Sequence, residues 1–104
     1  MNLATLQDQV SIWSARNFPR NTSMEPLIGV VEEVGELCHT VLKQNQGIRS
    51  TDQGAIPDAV GDIIIYLADF CERKGIDLDA CVDGAWQEVS QRDWVNYPKN
   101  GRPE

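Results

Sequence analysis

The chain has 104 residues, a formal net charge of −7 and a pI near 4.5, which bounds it to one domain and argues against a nucleic-acid surface, since its basic residues are scattered. No basic segment followed by an apolar one opens the sequence, and the longest apolar run, "IIIYLA" at 63–68, falls far short of a bilayer span, so a cytoplasmic protein without membrane contact is expected. Cys38, Cys71 and Cys81 are odd in number and widely spaced beside a single histidine, which favours reduced core thiols over a disulfide framework or a zinc site.

Apolar residues recur at helical spacing almost throughout. Leu3, Leu6, Val10, Ile12, Trp13 and Ala15 predict a first amphipathic helix over Leu3 to Phe18, which Pro19 discourages from continuing. Thr22 or Ser23 can cap the second, with Glu25 in its first turn and Pro26 early enough to be tolerated, and it runs over residues 24–45. The polar "QNQGIRSTDQGAIP" reads as a loop between two long helices. A third helix begins near Pro57 and stops at Lys74-Gly75, and a fourth covers Asp77 to Val95. The expectation is an all-α domain over 1–98 with a loose tail at 99–104. Its architecture would be an antiparallel bundle of about four helices, completed by oligomerisation because a chain this short buries only about two-thirds of its surface.

On the second helix, Leu27, Val30, Val31, Val34, Leu37, Cys38, Val41 and Leu42 share one face, and Glu32, Glu33 and Glu36 the other. A solvated face would account for that acidic stripe alone. Gly29 and Gly35 beside it, each costing a helix roughly 0.5–1 kcal/mol relative to Ala, point to a close approach to the backbone. On the third helix Val60, Ile63, Leu67 and Phe70 form one stripe, and Ile64, Ile65, Tyr66 and Ala68 fill most of the rest, as in a buried helix. It still carries Asp58, Asp62 and Asp69 along one line. Two anions about 4 Å apart repel by roughly 4 kcal/mol at an effective dielectric near 20, and few bases are near in sequence. A divalent cation meets that need, and an all-oxygen set selects Mg2+ or Mn2+ over zinc. The spacings thus predict a metal site from Glu33 and Glu36 on one helix and Asp58 and Asp62 on the next. Glu36 and His39 have the spacing of a di-iron Glu-x-x-His pair, but it occurs once, and His39 reads as a core or rim histidine.

The residues "EEVGE" at 32–36, followed by "DAVGDIIIYLADFC" at 58–71, resemble the MazG-like nucleotide pyrophosphohydrolases. That all-α NTP pyrophosphatase superfamily also includes dCTP pyrophosphatases and dimeric dUTPases. Its pattern is Glu-Glu-x-x-Glu, a spacer, then Glu-x-x-Asp. "NFPRNTSMEPLIGVVEEVGEL" is similar to the family's lead into the first motif and "RDWVNYP" to its C-terminal segment, so the resemblance covers residues 12–98. Glu33 and Glu36 match the first motif's ligand pair and Asp62 the final aspartate. Ala59 stands where the family has glutamate, with Asp58 one residue earlier as the substitute.

The resemblance implies hydrolysis of a nucleoside triphosphate, a deoxynucleotide with a lean toward pyrimidines, to its monophosphate and pyrophosphate. Mg2+, or alternatively Mn2+, would be the cofactor, and a homodimer or homotetramer the assembly. Glu32 or Glu33 would accept the proton of the attacking water. Trp13, Phe18, Asn21 and Tyr66 are candidates for holding the base. Arg92, Trp94 and Asn96 could reach phosphates or base from a neighbouring segment or a second subunit, and Lys43 and Arg49 are further phosphate candidates. Core packing is the competing explanation for each aromatic. Two other readings stand beside the enzyme: a non-catalytic helical module for metal or nucleotide, with Ala59 as the sign of decay, and an interaction domain with solvated acidic stripes.

Overall fold

The computed structural model describes residues 1–48 and 54–103, whose regular structure is entirely helical. Its elements are α1 (Leu3–Asn17), α2 (Met24–Gln46), α3 (Ala55–Lys74) and α4 (Leu78–Val89). α1 starts where the Asn2 side chain accepts from the Thr5 N–H at 2.8 Å. α2 is initiated by Thr22 rather than Ser23. Thr22 Oγ1 accepts from the Met24 N–H (3.2 Å), while the Glu25 carboxylate accepts from the Thr22 N–H (2.7 Å) and hydroxyl (2.8 Å). Gly47 (φ +64°) and Gly75 (φ +70°) close α2 and α3 in the left-handed conformation.

α4 stops at Val89, short of the expected Val95. The Asp93 side chain accepts from the backbone N–H groups of Val95 (3.1 Å) and Asn96 (3.0 Å), giving the chain a local alternative to the helix. The segment after 98, expected to be loose, folds back in its described part. Gly101 is buried, its carbonyl accepts from the Asp93 N–H (2.8 Å), and Arg102 pairs with Glu88 at 2.7 Å.

The core lies where α1, α3 and α4 meet. Val10, Ala68, Cys71 and Leu78 are buried there, with Leu3, Leu6 and Phe70 packed on them. Gln7 is buried beside them with its amide satisfied, donating to Ile76 O (2.8 Å) and Glu72 Oε2 (3.1 Å) and accepting from the Leu78 N–H (2.8 Å). α1 is thereby docked to the entrance of α4.

α2 stands apart: among the described residues it packs along α3 and against no other helix. The face it turns inward carries Pro26 and Gly29, both buried, and Val30, Glu33 and Leu37, partly buried. That face is rotated away from the apolar stripe expected to be covered, and Leu27, Val31, Val34, Val41 and Leu42 remain exposed, Val31 at 67%. α3, expected to be covered on nearly all sides, leaves Val60 and Ile65 exposed. Of the three thiols expected in the core, Cys71 is buried and Cys38 and Cys81 are exposed. The radius of gyration is 17.3 Å, against about 13 Å for a compact chain of this length. A helix packed on one side only produces that openness.

Candidate active site

Because α1 and α2 both lean on α3 without packing on each other, a cleft of about 410 Å³ opens between them. α3 contributes Asp62, Ile65, Tyr66 and Asp69 to it, and α2 contributes Glu25, Pro26 and Glu33. Val10 and Trp13 of α1, with Phe18 and Asn21 of the following turn, make the remaining wall.

One part of the cleft is strongly acidic. Carboxylate oxygens of Glu32, Glu33 and Glu36 lie within 4.8 Å of one another, Glu33 half-buried and the other two exposed. Burial raises the proton affinity of Glu33, and the charges of Glu36, Asp62 and Glu32 raise it further. Asp62 of α3 therefore acts on Glu33 from across the helix pair. The Tyr66 phenol is pushed the same way, first by burial and then by Glu32, Glu33, Asp62 and Asp69. Three convergent carboxylates with a fourth in electrostatic reach suit a hard divalent cation, since each supplies the oxygen donors such an ion prefers.

Another part of the cleft is aromatic, and one of its carboxylates is paired with a base. Trp13 and Phe18 meet edge to face, centroids 5.6 Å apart. Asp69, on the same helical line as Asp62, has a countercharge in the chain: Arg73 Nε donates to its Oδ1 at 2.8 Å and Ser14 Oγ to its Oδ2 at 2.8 Å. The i, i+4 spacing of Asp69 and Arg73 was the available signal for that pair. Glu25, also in the wall, is held below the usual carboxylate range, mainly by the Thr22 hydroxyl.

Of the residues singled out from sequence, the cleft gathers Trp13, Phe18, Asn21, Glu33, Asp62 and Tyr66. Glu32 and Glu36 join through the glutamate cluster. Asp58 is exposed and does not line the cleft, while Ala59 beside it is buried at 6%. Arg92, Trp94 and Asn96 lie in the turns after α4, away from the cleft of their own chain. There Arg92 pairs with Glu88 (3.0 Å) and sits over the Trp94 ring, and Asn96 donates to Asp93 Oδ2 (2.7 Å). Lys43 donates to Gln46 (3.2 Å) in the last turn of α2, His39 is exposed and outside the glutamate cluster, and Arg49 lies outside the described residues. The glycines divide as well: Tyr66 lies against Gly29, whereas no described side chain would come within 4 Å of a methyl group added at Gly35. Sequence reasoning had no site role for Glu25, Pro26, Val10, Ile65 or Asp69. For Glu25 the Thr-x-x-Glu capping pattern was the usable clue.

No protein-family model matches the chain, and no curated protein does. Among solved structures it is similar to the Cyanophage S-2L MazG-like pyrophosphohydrolase bound to dGDP and three catalytic Mn2+ ions per active site. The two are 22% identical, with a TM-score of 0.65 over 91% of this chain and 84% of that one. The helices and their order accordingly have the fold of a MazG-like pyrophosphohydrolase.

Proposed function

We propose that the cleft binds a nucleoside triphosphate, a deoxynucleotide foremost, and hydrolyses it to the monophosphate and pyrophosphate with Mg2+ or Mn2+. One observation carries this reading: a single cleft joins an acidic cluster to an aromatic wall whose Asp69 is paired with Arg73. A triphosphate with its base has the matching polarity, provided cations stand between its oxygens and the carboxylates. The similar solved structure, a pyrophosphohydrolase with a nucleotide and Mn2+ ions, adds support at the level of fold.

In this reading Glu33, Glu36 and Asp62 hold the metal, with Asp58 as an outer ligand one turn from Asp62 and Glu32 on the rim of the cluster. The bound ion supplies charge compensation for the phosphates and a more acidic water. Glu33, which lines the cleft, or its neighbour Glu32 accepts the proton of the attacking water. Trp13 and Phe18 flank the base, Asn21 offers its side-chain amide to the base edge, and Tyr66 closes the floor between base and phosphates. Two or four copies of the chain assemble, and the exposed apolar stripe of α2 and the large radius of gyration support that assembly. Arg92, Trp94 and Asn96 then reach the phosphates or base of a neighbouring copy. We place the protein in the cytoplasm, where nucleotide pools lie; among the described residues no helix is long and apolar enough to cross a membrane.

The test is pyrophosphate release from a panel of NTPs and dNTPs, with and without Mg2+ or Mn2+, for wild type beside Glu36→Gln and Asp62→Asn. Metal-dependent release lost in both variants is the expected result. A buried alanine at position 59, where glutamate would supply a ligand, favours one other reading: a module that binds nucleotide and metal without turnover. Binding without release would establish that instead.

A further inference from the structure

We propose that Arg73 is a positioning residue for the base-binding wall, holding the 18–21 turn at the geometry in which Phe18 and Asn21 face the cleft. The proposal rests on the nucleotide reading above. The Arg73 side chain is only 17% exposed and bonds to four groups. Nε donates to Asp69 Oδ1 (2.8 Å), Nη2 to Ser14 Oγ (2.7 Å) and to the Phe18 carbonyl (3.2 Å), and Nη1 to the Asn21 carbonyl. Two of these acceptors are the backbone carbonyls that begin and end the turn, one of them at the C-cap of α1, where unpaired carbonyls and the helix dipole favour a cation.

Among the described residues the 18–21 turn has few other ties. Phe18 is exposed apart from its edge-to-face contact with Trp13, and the described backbone bond across the turn is Asn21 N–H to Phe18 O at 3.1 Å. Ser14, 1% exposed, and Asp69 are bonded to each other, so the guanidinium is itself fixed on a rigid base. Only a planar fork of donors reaches carboxylate, hydroxyl and two carbonyls together; an ammonium in the same place keeps the charge and loses the fork.

The experiment compares wild type with Arg73→Lys, using dCTP and dGTP with Mn2+ as probes and amide hydrogen exchange as a readout independent of turnover. Exchange of the Asn21 amide is expected to rise about tenfold in the variant, with the amides of α1 unchanged. KM is expected to rise about tenfold with kcat within about threefold, the pattern of binding lost equally from ground and transition states. Unchanged exchange and KM would overturn the proposal, as would faster exchange with unchanged KM, which marks a purely structural bond. If Arg73→Lys loosens the whole fold, Ser14→Ala decides by the same criteria, because it keeps the ion pair and removes one of the four acceptors. If wild type releases no pyrophosphate, the hydrolase reading falls, and the comparison is made on Kd for the same two nucleotides.

Discussion

The ring of Tyr66 lies directly on the α-carbon of Gly29: a methyl group added to Gly29 would sit 2.4 Å from Tyr66 Cε1. The glycine therefore makes room for an aromatic ring that forms the floor of the cleft. Gly29→Ala is expected to destabilise the protein by about 1–3 kcal/mol through overpacking and to weaken nucleotide binding by displacing Tyr66. Gly35→Ala is the control. With open space around that position, it should stabilise by about 0.5–1 kcal/mol. Urea unfolding of both variants, read beside nucleotide titration, checks the pair.

The acidity of the cleft sets a pH dependence for the metal-free protein. Glu33 binds its proton more tightly in the folded chain than in the unfolded one. The folded state therefore carries more protons between the ordinary carboxylate value and the raised one, and stability falls as pH rises through that window. Thermal melts of metal-free protein across that range should show the fall, and Glu33→Gln should flatten it. Added Mg2+ should recover the lost stability above the window and do little below it, because a protonated carboxyl is a poor ligand.

The start of α2 is a second point of leverage. Thr22→Val removes the hydroxyl that accepts from Met24 and donates to Glu25, and is expected to cost about 0.5–2 kcal/mol. Glu25 would then return toward its ordinary acidity, since the Thr22 hydroxyl is the main cause of its depression. Chemical denaturation and the NMR titration of the Glu25 carboxyl follow the two effects separately.

Val31→Glu on the exposed stripe of α2 tests the assembly. Wild type is expected to sediment as a dimer or tetramer at micromolar concentration, and the variant as a monomer with its helical content retained. Wild type sedimenting only as a monomer at that concentration would remove the assembly.

The C-terminal turns offer a prediction of opposite sign to that of Glu33. Glu88 is held below the usual carboxylate range by hydrogen bonding to Arg92 and the charge of Arg102. Its contribution is present above the ordinary carboxylate value and lost as pH falls through the depressed one. Trp94, beneath the Arg92 guanidinium at 5.8 Å, should report the release in its fluorescence, and Glu88→Gln should abolish the acid transition.

The helices were readable because they follow apolar spacing and because some of their ends are written in local chemistry: Thr22 and Glu25 at the start of α2 and Gly75 at the end of α3 act within a few residues of themselves. α4 was overextended because Trp94 and Val95 continue its apolar period, while the competing Asp93 bonds depend on a turn that periodicity does not encode. The inward face of α2 was misread for a related reason. Hydrophobicity marks Leu27, Val31 and Val34 as the face to cover, whereas this chain turns Gly29 and Glu33 toward α3. Carboxylate spacing led to Glu33 and Asp62, which share the cleft, but it could not tell that Asp58 lies one turn beyond it. A pattern of acids alone does not separate Asp69 from Asp62; Arg73 at i+4 was the signal in sequence, and only the fold shows that its guanidinium also reaches across to Ser14.

Among the described residues, helices α1 and α2 share α3 as a support and do not pack on each other, so the cleft lies between a pair of jaws on a common pin. The aromatic jaw is anchored, because Gln7 ties α1 to the entrance of α4 and Arg73 ties the 18–21 turn to α3. The acidic jaw, among the described residues, leans on α3 and on no other helix. A ligand long enough to touch both would supply a tie between two helices that otherwise meet through a third.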